Sequence, residues 1–343
     1  MLTAGNLPVL VLSFIAPFLL MLAIMPQYLK FLIRRGNTVD DVHKQPVSKV
    51  PSPVGPVIFA AAAFGEIVAY LTYGSLVPLA VLGASAVAFA IGLYDDLAVL
   101  GGKVKPILLL FAFVPILVCL VFQSDLYGTR LFFPILGATG AHFTIYTLLA
   151  VAAFPIVANA FNMMDSFNGE VSGFTVLVSL ALIAGVVLRS LAEPGFSVAR
   201  LAATLPLLAV SAGFYIFNRY PSRAFDGNSG SLMLGTMFAA LAITGGVEIA
   251  AIIAILPSIL NSFYILASLR GFVERRQMGS RPTYMTPDGL LHASGNPNAP
   301  STLVSLVLLP GPLSEKELVK NILLLTAVTC LLSVLTSVLT WVY

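Results

Sequence analysis

Long apolar segments are the feature of this sequence that most constrains its fold. About ten of them, separated by polar or Pro- and Gly-rich stretches, approach the roughly 20 residues that a helix needs to cross a bilayer. The pattern predicts an all-α polytopic membrane protein in which residues 1–343 form a single membrane domain. The predicted spans are approximately residues 9–33, 54–73, 76–93, 106–122, 143–160, 173–191, 198–217, 231–245, 247–269 and 319–341.

The composition excludes several other classes of protein. Hydrophobic residues make up 58% of the chain and charged residues 10%, against about 45–50% and about 25% in soluble domains. These values exclude a soluble globular domain and a disordered chain. The net charge of +3 is too small to suggest a nucleic-acid-binding protein, and two cysteines are too few for a disulfide scaffold.

Basic residues are distributed unequally between the two sides of the membrane. Only Arg130, Arg189 and Arg200 fall on the side that holds both predicted termini. By the positive-inside rule, the opposite side, with a long loop at about 271–312, faces the cytoplasm. Most acidic residues fall on that side too, and Glu66 is the carboxylate well inside a span. We therefore expect a multi-pass protein of the plasma membrane with its active site facing the cytoplasm.

Two adjacent carboxylates, Asp95 and Asp96, follow the third apolar segment, and Lys103 and Lys105 come next. Carboxylates beside lipid are costly unless a cation uses them, and Mg²⁺ bound jointly by carboxylates and substrate phosphates is such a cation. Lys105, at the start of the next span, is placed to contact phosphates. The alternative is a solvated loop whose charges compensate one another.

Amides and a carboxylate recur at the end of the fifth apolar segment. Asn159, Asn162 and Asp165 are three residues apart, so they share one stripe of a helix end, and Asn168 follows them. We expect the first three to converge on one ligand, because an amide in apolar surroundings must find a partner. Alternatively, these side chains join neighbouring helices by hydrogen bonds.

Glycines beside serine and asparagine open the eighth apolar segment, at residues 226–232. Such a turn is typical of an anion-binding site, where free backbone N–H groups lie at the positive end of a helix. The alternative is an ordinary helix whose N-cap is Asn228 or Ser229.

Two further loops contain basic candidates. In the long loop, Arg275 and Arg276 are interpreted as lipid-headgroup contacts, whereas Arg281, set apart from them, is the better phosphate ligand. Turn residues at 285–290 predict a hairpin in the same loop. In the first loop, Lys49 is placed to contact an anionic headgroup, unless that loop is a plain linker.

Taken in order, these segments resemble the polyprenyl-phosphate N-acetylhexosamine-1-phosphate transferases, glycosyltransferase family 4. This family includes the phospho-MurNAc-pentapeptide translocase and the dolichyl-phosphate GlcNAc-1-phosphate transferase. The likeness covers nearly the whole chain. It is carried by Gly92-Leu93-Tyr94-Asp95-Asp96 with Lys105, by Asn159-Ala160-Phe161-Asn162-Met163-Met164-Asp165 through Asn168-Gly169, and by Phe225-Asp226-Gly227-Asn228-Ser229-Gly230-Ser231-Leu232.

The resemblance implies transfer of a sugar 1-phosphate from a UDP-sugar to a polyprenyl or dolichyl phosphate, with release of UMP. It implies Mg²⁺, or Mn²⁺ in its place, as the cofactor. The implied partners are the UDP-sugar, the lipid phosphate and the membrane, without nucleic acid, and a homodimer is left open. The candidate residues are Asp95, Asp96 and Lys105 for catalysis; Lys49, Asn159, Asp165, Asn168 and Arg281 for substrate binding; and Asn162, Asn228 and Asp226 as metal ligands.

Two departures from the family pattern are evident. Where Asn228 stands, the family usually has a metal-binding Asp, and an amide oxygen is a poorer ligand for a hard cation. Either Asn228 still binds the metal, or Asp226 replaces it, or the affinity is lower. The bacterial branches carry several histidines in the last loop, where this chain has only His292. The sequence at 281–289 is more similar to the dolichol-type branch, which favours UDP-GlcNAc.

A phosphate monoester is largely dianionic at neutral pH, so the lipid nucleophile scarcely needs a base. We predict a single in-line displacement, in which Asp95 orients the nucleophile or accepts a residual proton, over a route through an aspartyl-phosphate.

Two rival classes remain. A secondary transporter would use Glu66 at mid-membrane, and a CDP-alcohol phosphotransferase would need a longer Asp-rich signature within one helix.

Overall fold

The computed structural model describes residues 6–44, 46–122, 130–140, 142–271 and 279–342. A 3₁₀ turn at Leu110–Phe113 joins helices α4 (Val104–Leu109) and α5 (Val114–Phe122), so that Val104–Phe122 forms one apolar helical segment. The helices are α1 (Leu7–Arg35), α2 (Gly55–Tyr73), α3 (Leu76–Ala98), α4 (Val104–Leu109), α5 (Val114–Phe122), α6 (Phe143–Met164), α7 (Glu170–Ala192), α8 (Val198–Asn218), α9 (Gly227–Gly245), α10 (Glu248–Ala254), α11 (Leu256–Leu269), α12 (Leu303–Val307) and α13 (Glu315–Trp341).

Short antiparallel strands occupy several of the loops. In the first loop β1 (Thr38–Asp41) pairs with β2 (Ser48–Pro51), with Asp40 opposite Lys49. In the long loop β5 (Thr283–Met285) and β6 (Leu290–Ala293) form the predicted hairpin, and β7 (Leu313–Ser314) adds to β6 just before α13 begins. The strands are β1 (Thr38–Asp41), β2 (Ser48–Pro51), β3 (Phe132–Phe133), β4 (Gly137–Ala138), β5 (Thr283–Met285), β6 (Leu290–Ala293) and β7 (Leu313–Ser314).

The predicted all-α polytopic membrane fold is confirmed. Among the described residues, eight helical segments are long and apolar enough to cross a membrane: α1, α2, α3, α4 with α5, α6, α7, α8 and α13. Helices α10 and α11 pass the same test as one broken span, bent by 67°. The bend falls at Ile255, and Pro257 in the first turn of α11 lacks the N–H that would continue the preceding helix.

Helix α9, which corresponds to the eighth predicted span, is enclosed by other helices. Every residue from Ser229 to Gly245 is buried, and the helix packs against α2, α3, α6, α7 and α8. Glycine permits the closest approach, because a Cβ on Gly235 would lie 2.8 Å from the Cα of Ala158 in α6. Small residues bring helix backbones together in this way inside membrane proteins.

The boundary after α9 is a true turn. Gly246 adopts φ of 60° and closes the helix by donating its N–H to the carbonyl of Ile243. Because glycine enters this left-handed region at little cost, Gly246 ends α9 and lets α10 begin as a separate helix. The Gly245-Gly246 pair therefore does not mark a kink within one long helix.

Candidate active site

A polar cavity of about 710 Å³ opens at the end of the helix bundle where α3 and α6 end and α9 begins. Residues of the first loop, α4, the α6–α7 turn, α11 and the long loop also form its walls. Side chains distant in sequence therefore meet in one place. The predicted site residues that line the cavity are Asp96, Lys105, Asn159, Asn162, Asp165, Asn228 and Arg281.

Asp96 binds the first turn of α9. Its Oδ1 accepts a hydrogen bond of 2.8 Å from the backbone N–H of Asn228, and its Oδ2 accepts bonds of 3.0 Å and 2.7 Å from the N–H and hydroxyl of Ser229. A carboxylate at a helix N-terminus satisfies free N–H groups and complements the helix dipole. Neither Asn228 nor Ser229 is the N-cap; instead a side chain from α3 caps α9 and fixes its position in the cavity.

Gly227 brings this turn close to its neighbours. Its φ is 72°, and a Cβ there would lie 2.6 Å from Pro53 Cβ and 2.7 Å from Asp96 Oδ2. Gly36 has a similar φ of 75° but would place its Cβ in open space. An alanine at either position would therefore have the same backbone strain, and only at position 227 would it add a steric clash.

We expect Gly227→Ala to lower the free energy of unfolding in detergent by about 2–4 kcal/mol, because strain and overpacking add. Gly36→Ala, the matched control, should lose about 1 kcal/mol from strain alone. Denaturant titration of the purified proteins measures both values. Equal losses in the two variants would contradict the contact that we describe.

Asp95 points away from Asp96 and pairs with Lys105. Its Oδ2 lies 3.0 Å from Lys105 Nζ, and its Oδ1 accepts a 2.5 Å hydrogen bond from the N–H of Leu100. The carboxylate is buried and is not part of the cavity lining, whereas Lys105 is. Asp95 thus holds the Lys105 ammonium at the wall of the cavity, and Lys105 presents the positive charge.

Asn162 and Asn228 contact each other at the wall of the cavity. The Nδ2 of Asn162 donates to Asn228 Oδ1 at 2.7 Å and to the hydroxyl of Ser231 at 3.2 Å. The bonds join the end of α6 to the start of α9. Asn159 also lines the cavity, but its Nδ2 donates to the carbonyl of Pro155 one turn earlier in the same helix.

Asp226 and Asp165 form a pair of neighbouring carboxyls beside these amides. Asp226 is fully buried, and neither of its carboxylate oxygens accepts a hydrogen bond from any described residue. Burial first, and the adjacent Asp165 carboxylate second, raise the pKa of Asp226 well above its usual value. A buried carboxylate without hydrogen bonds is costly unless a cation or a proton compensates it.

These oxygen donors fit a hard divalent cation. Mg²⁺ keeps several waters and is usually bound through one or two carboxylates together with substrate phosphates. Asp165 lines the cavity together with the amides Asn162 and Asn228, and Asp226 is buried next to Asp165 outside the lining. In the described part of the chain, no three His, Cys, Asp or Glu side chains form a group that could hold a metal.

The other predicted site residues lie outside the cavity lining. Asn168 is buried in contacts with Asp41 and Glu315. Lys49 is exposed on β2, on a hairpin whose neighbouring turn reaches the cavity. Arg275 and Arg276 fall in residues 272–278, outside the described part of the chain.

Sequence reasoning missed several polar residues at the site. Asn261 lines the cavity and links α11 to α6 and α12, through bonds of 2.9 Å to the Met163 carbonyl and from the Leu303 N–H. An amide inside an apolar span was a local signal for it. His43 also lines the cavity, stacked on Phe167 at 4.4 Å between ring centroids. Nothing in the local sequence marks His43.

Comparison with known proteins finds that the chain is similar to several proteins named as transferases. One relative is a Sulfolobus acidocaldarius protein provisionally named UDP-N-acetylglucosamine–dolichyl-phosphate N-acetylglucosaminephosphotransferase. The two proteins are 28% identical over 83% of this chain and 83% of the relative. The Dictyostelium discoideum protein of that name is 26% identical over 66% of this chain and 60% of its own. The phospho-N-acetylmuramoyl-pentapeptide-transferase of Caldicellulosiruptor bescii is 29% identical over 68% of this chain and 73% of its own.

The fold and cavity define a polytopic membrane protein with basic, acidic and amide side chains gathered at one end of its helices. Residues 78–246, which include most of α3 and all of α6 and α9, match the family model of glycosyl transferase family 4. The matching family model is that of the family which the sequence motifs resemble.

Proposed function

We propose that this protein transfers N-acetylglucosamine 1-phosphate from UDP-N-acetylglucosamine to a dolichyl or related polyprenyl phosphate and releases UMP. The observation that carries the proposal is the cavity, which combines the cations Lys105 and Arg281 with the carboxylates Asp96 and Asp165 at the end of membrane-spanning helices. The names of the Sulfolobus and Dictyostelium relatives support this donor and acceptor.

The proposed chemistry matches the position of the cavity. A water-soluble donor and a membrane-anchored acceptor can react only where the bundle meets water, and both carry phosphates. The main task is therefore to neutralise and align two anions rather than to form a covalent enzyme intermediate. We propose that Lys105 and Arg281 bind the diphosphate and that this face of the protein is cytoplasmic, in keeping with its Lys and Arg residues.

Mg²⁺, with Mn²⁺ as a substitute, is the proposed cofactor. Asp226 and Asp165, assisted by Asn162 and Asn228, would hold the ion, and it would supply positive charge to the donor phosphates. Asp226 would compensate for the Asn at position 228, because it provides a carboxylate two residues away. Asp96 would act indirectly, by fixing the turn that carries Asn228.

The transporter alternative is less consistent with the structure. Transporters place ionisable side chains along a path near the middle of the membrane. Glu66 is buried in α2, and neither of its carboxylate oxygens contacts a polar partner among the described residues. Glu66 also lies outside the cavity lining, where the other candidate residues gather.

Membranes that contain the protein can be incubated with UDP-GlcNAc labelled in the sugar, Mg²⁺ and dolichyl phosphate. We expect label in the organic phase and release of UMP, both dependent on the lipid phosphate. Label trapped in the vesicle lumen without lipid product would support transport instead. Parallel assays with other UDP-sugars identify the donor.

The predicted single displacement gives Asp95 a supporting role. Asp95→Asn should retain about 1–10% of the transfer rate with unchanged Mg²⁺ dependence, because the amide oxygen can still accept a hydrogen bond from Lys105. Initial rates at several Mg²⁺ concentrations measure this. Isolation of a phosphorylated Asp95 from the wild type would refute the single displacement.

A further inference from the structure

Glu315, the first residue of α13, joins three distant segments of the chain. Its Oε2 lies 2.6 Å from Lys44 Nζ in the first loop, and its Oε1 accepts a 2.9 Å hydrogen bond from the backbone N–H of Asn168. Its side chain is 4% exposed. Glu315 does not line the cavity, so it does not touch a ligand bound there.

Asp41 completes this cluster from the opposite side. Its Oδ2 accepts a 2.9 Å hydrogen bond from Asn168 Nδ2 and lies 3.3 Å from Lys44 Nζ. The Lys44 ammonium is also 3.9 Å from the centroid of the Tyr220 ring. We call Asp41, Lys44, Asn168 and Glu315 the clasp. Ion pairs in so buried a setting are strongly coupled, because removal of one partner leaves the others uncompensated.

The clasp fixes three walls of the cavity at once. His43 lies between Asp41 and Lys44, and its ring stacks on Phe167, the residue before Asn168; both rings line the cavity. The third wall is the long loop, which is connected to Glu315 through the backbone. β7 ends at Ser314, immediately before Glu315, and it pairs with β6 of the hairpin whose other strand carries Thr283 of the cavity lining.

We propose that Glu315 is a positioning residue for the nucleotide-sugar donor, an inference that rests on the function proposed above. The walls held by the clasp come from loops at the water-facing end of the bundle, the side from which a soluble donor enters. The lipid acceptor must approach from the membrane, where α11 contributes Ile265 and Leu266 to the cavity. Loosening the clasp should therefore weaken donor binding and leave acceptor binding unchanged.

Glu315→Gln tests this role, because the amide keeps the shape of the side chain and removes the charge that Lys44 contacts. We expect the KM for UDP-GlcNAc to rise about tenfold, with kcat within about twofold and the KM for the lipid phosphate unchanged. Glu317→Gln is the matched control, since Glu317 is exposed on the same turn and bonds only Ser314 among the described residues. Lys44→Gln should reproduce the effect from the other side of the ion pair.

Binding of UDP, measured by calorimetry on the purified protein, separates this proposal from the proposed function. We expect weaker UDP binding in Glu315→Gln and Lys44→Gln than in wild type and Glu317→Gln. A wild-type donor KM in both clasp variants, or an equal rise in the acceptor KM, would overturn the positioning role. Wild-type protein that binds UDP but forms no lipid product would overturn the proposed transfer, while the binding comparison would still decide the role of Glu315.

Discussion

Lys105→Met is expected to lower kcat/KM for UDP-GlcNAc by about 100-fold or more. The Lys105 ammonium lines the cavity and is held there by Asp95 at 3.0 Å, so its charge is available to phosphates in the bound state and in the transition state. Because the same charge acts in both states, KM should rise and kcat should fall. Steady-state kinetics with varied donor measure both.

The controls for Lys105 separate chemistry from stability. Lys103→Met removes the same charge from an exposed position two residues away and should leave the kinetics unchanged. Lys105→Met alone also leaves the buried Asp95 carboxylate unpaired, which costs stability. The double variant Asp95→Asn/Lys105→Met should recover that stability without recovering activity. Wild-type kinetics in Lys105→Met would remove this residue from the site.

Asp226→Asn is expected to have opposite effects on activity and stability. The buried carboxyl makes no hydrogen bond with any described residue and lies beside Asp165, so its charge destabilises the fold when no cation is bound. We expect the variant to melt at a higher temperature than wild type in EDTA and to lose at least about 100-fold in kcat/KM in Mg²⁺.

A comparison of melting temperatures with and without Mg²⁺ in the presence of UDP tests the same assignment. Wild type should gain stability from the ion, and Asp226→Asn should gain much less. Asp288→Asn, which alters an exposed carboxylate of the β5–β6 turn, serves as the control and should behave as wild type. An Asp226→Asn protein with normal Mg²⁺ stabilisation and normal turnover would exclude Asp226 as a metal ligand.

The sequence predicted the membrane fold well, because each span is a local property of about 20 consecutive residues. It also predicted that Asn159, Asn162 and Asp165 lie close together, since they share one stripe of a helix end. All three line the cavity. The bend at Ile255 was not predicted, although Pro257 was a signal for it.

The division of labour between Asp95 and Asp96 could not be read from the sequence. Neighbouring residues on a helix point in directions about 100° apart, so one carboxylate contacts Lys105 and the other caps α9. The clasp was equally hidden, because Lys44 and Glu315 are separated by 271 positions and neither has a local motif. Such contacts depend on the packing of whole helices rather than on spacing along the chain.

The enclosure of α9 separates a part of the cavity that is held by helix packing from a part that is held by the clasp. A helix that contacts other helices on every face cannot slide or rotate without displacing α3 and α6. The turn at Asn228, with which α9 begins, is therefore held rigidly in place at the cavity wall. The opposite rim consists of two strand-bearing loops joined to the bundle by a few polar contacts. Contacts with the sugar therefore depend on the clasp, whereas the geometry around the phosphates depends on helix packing around α9.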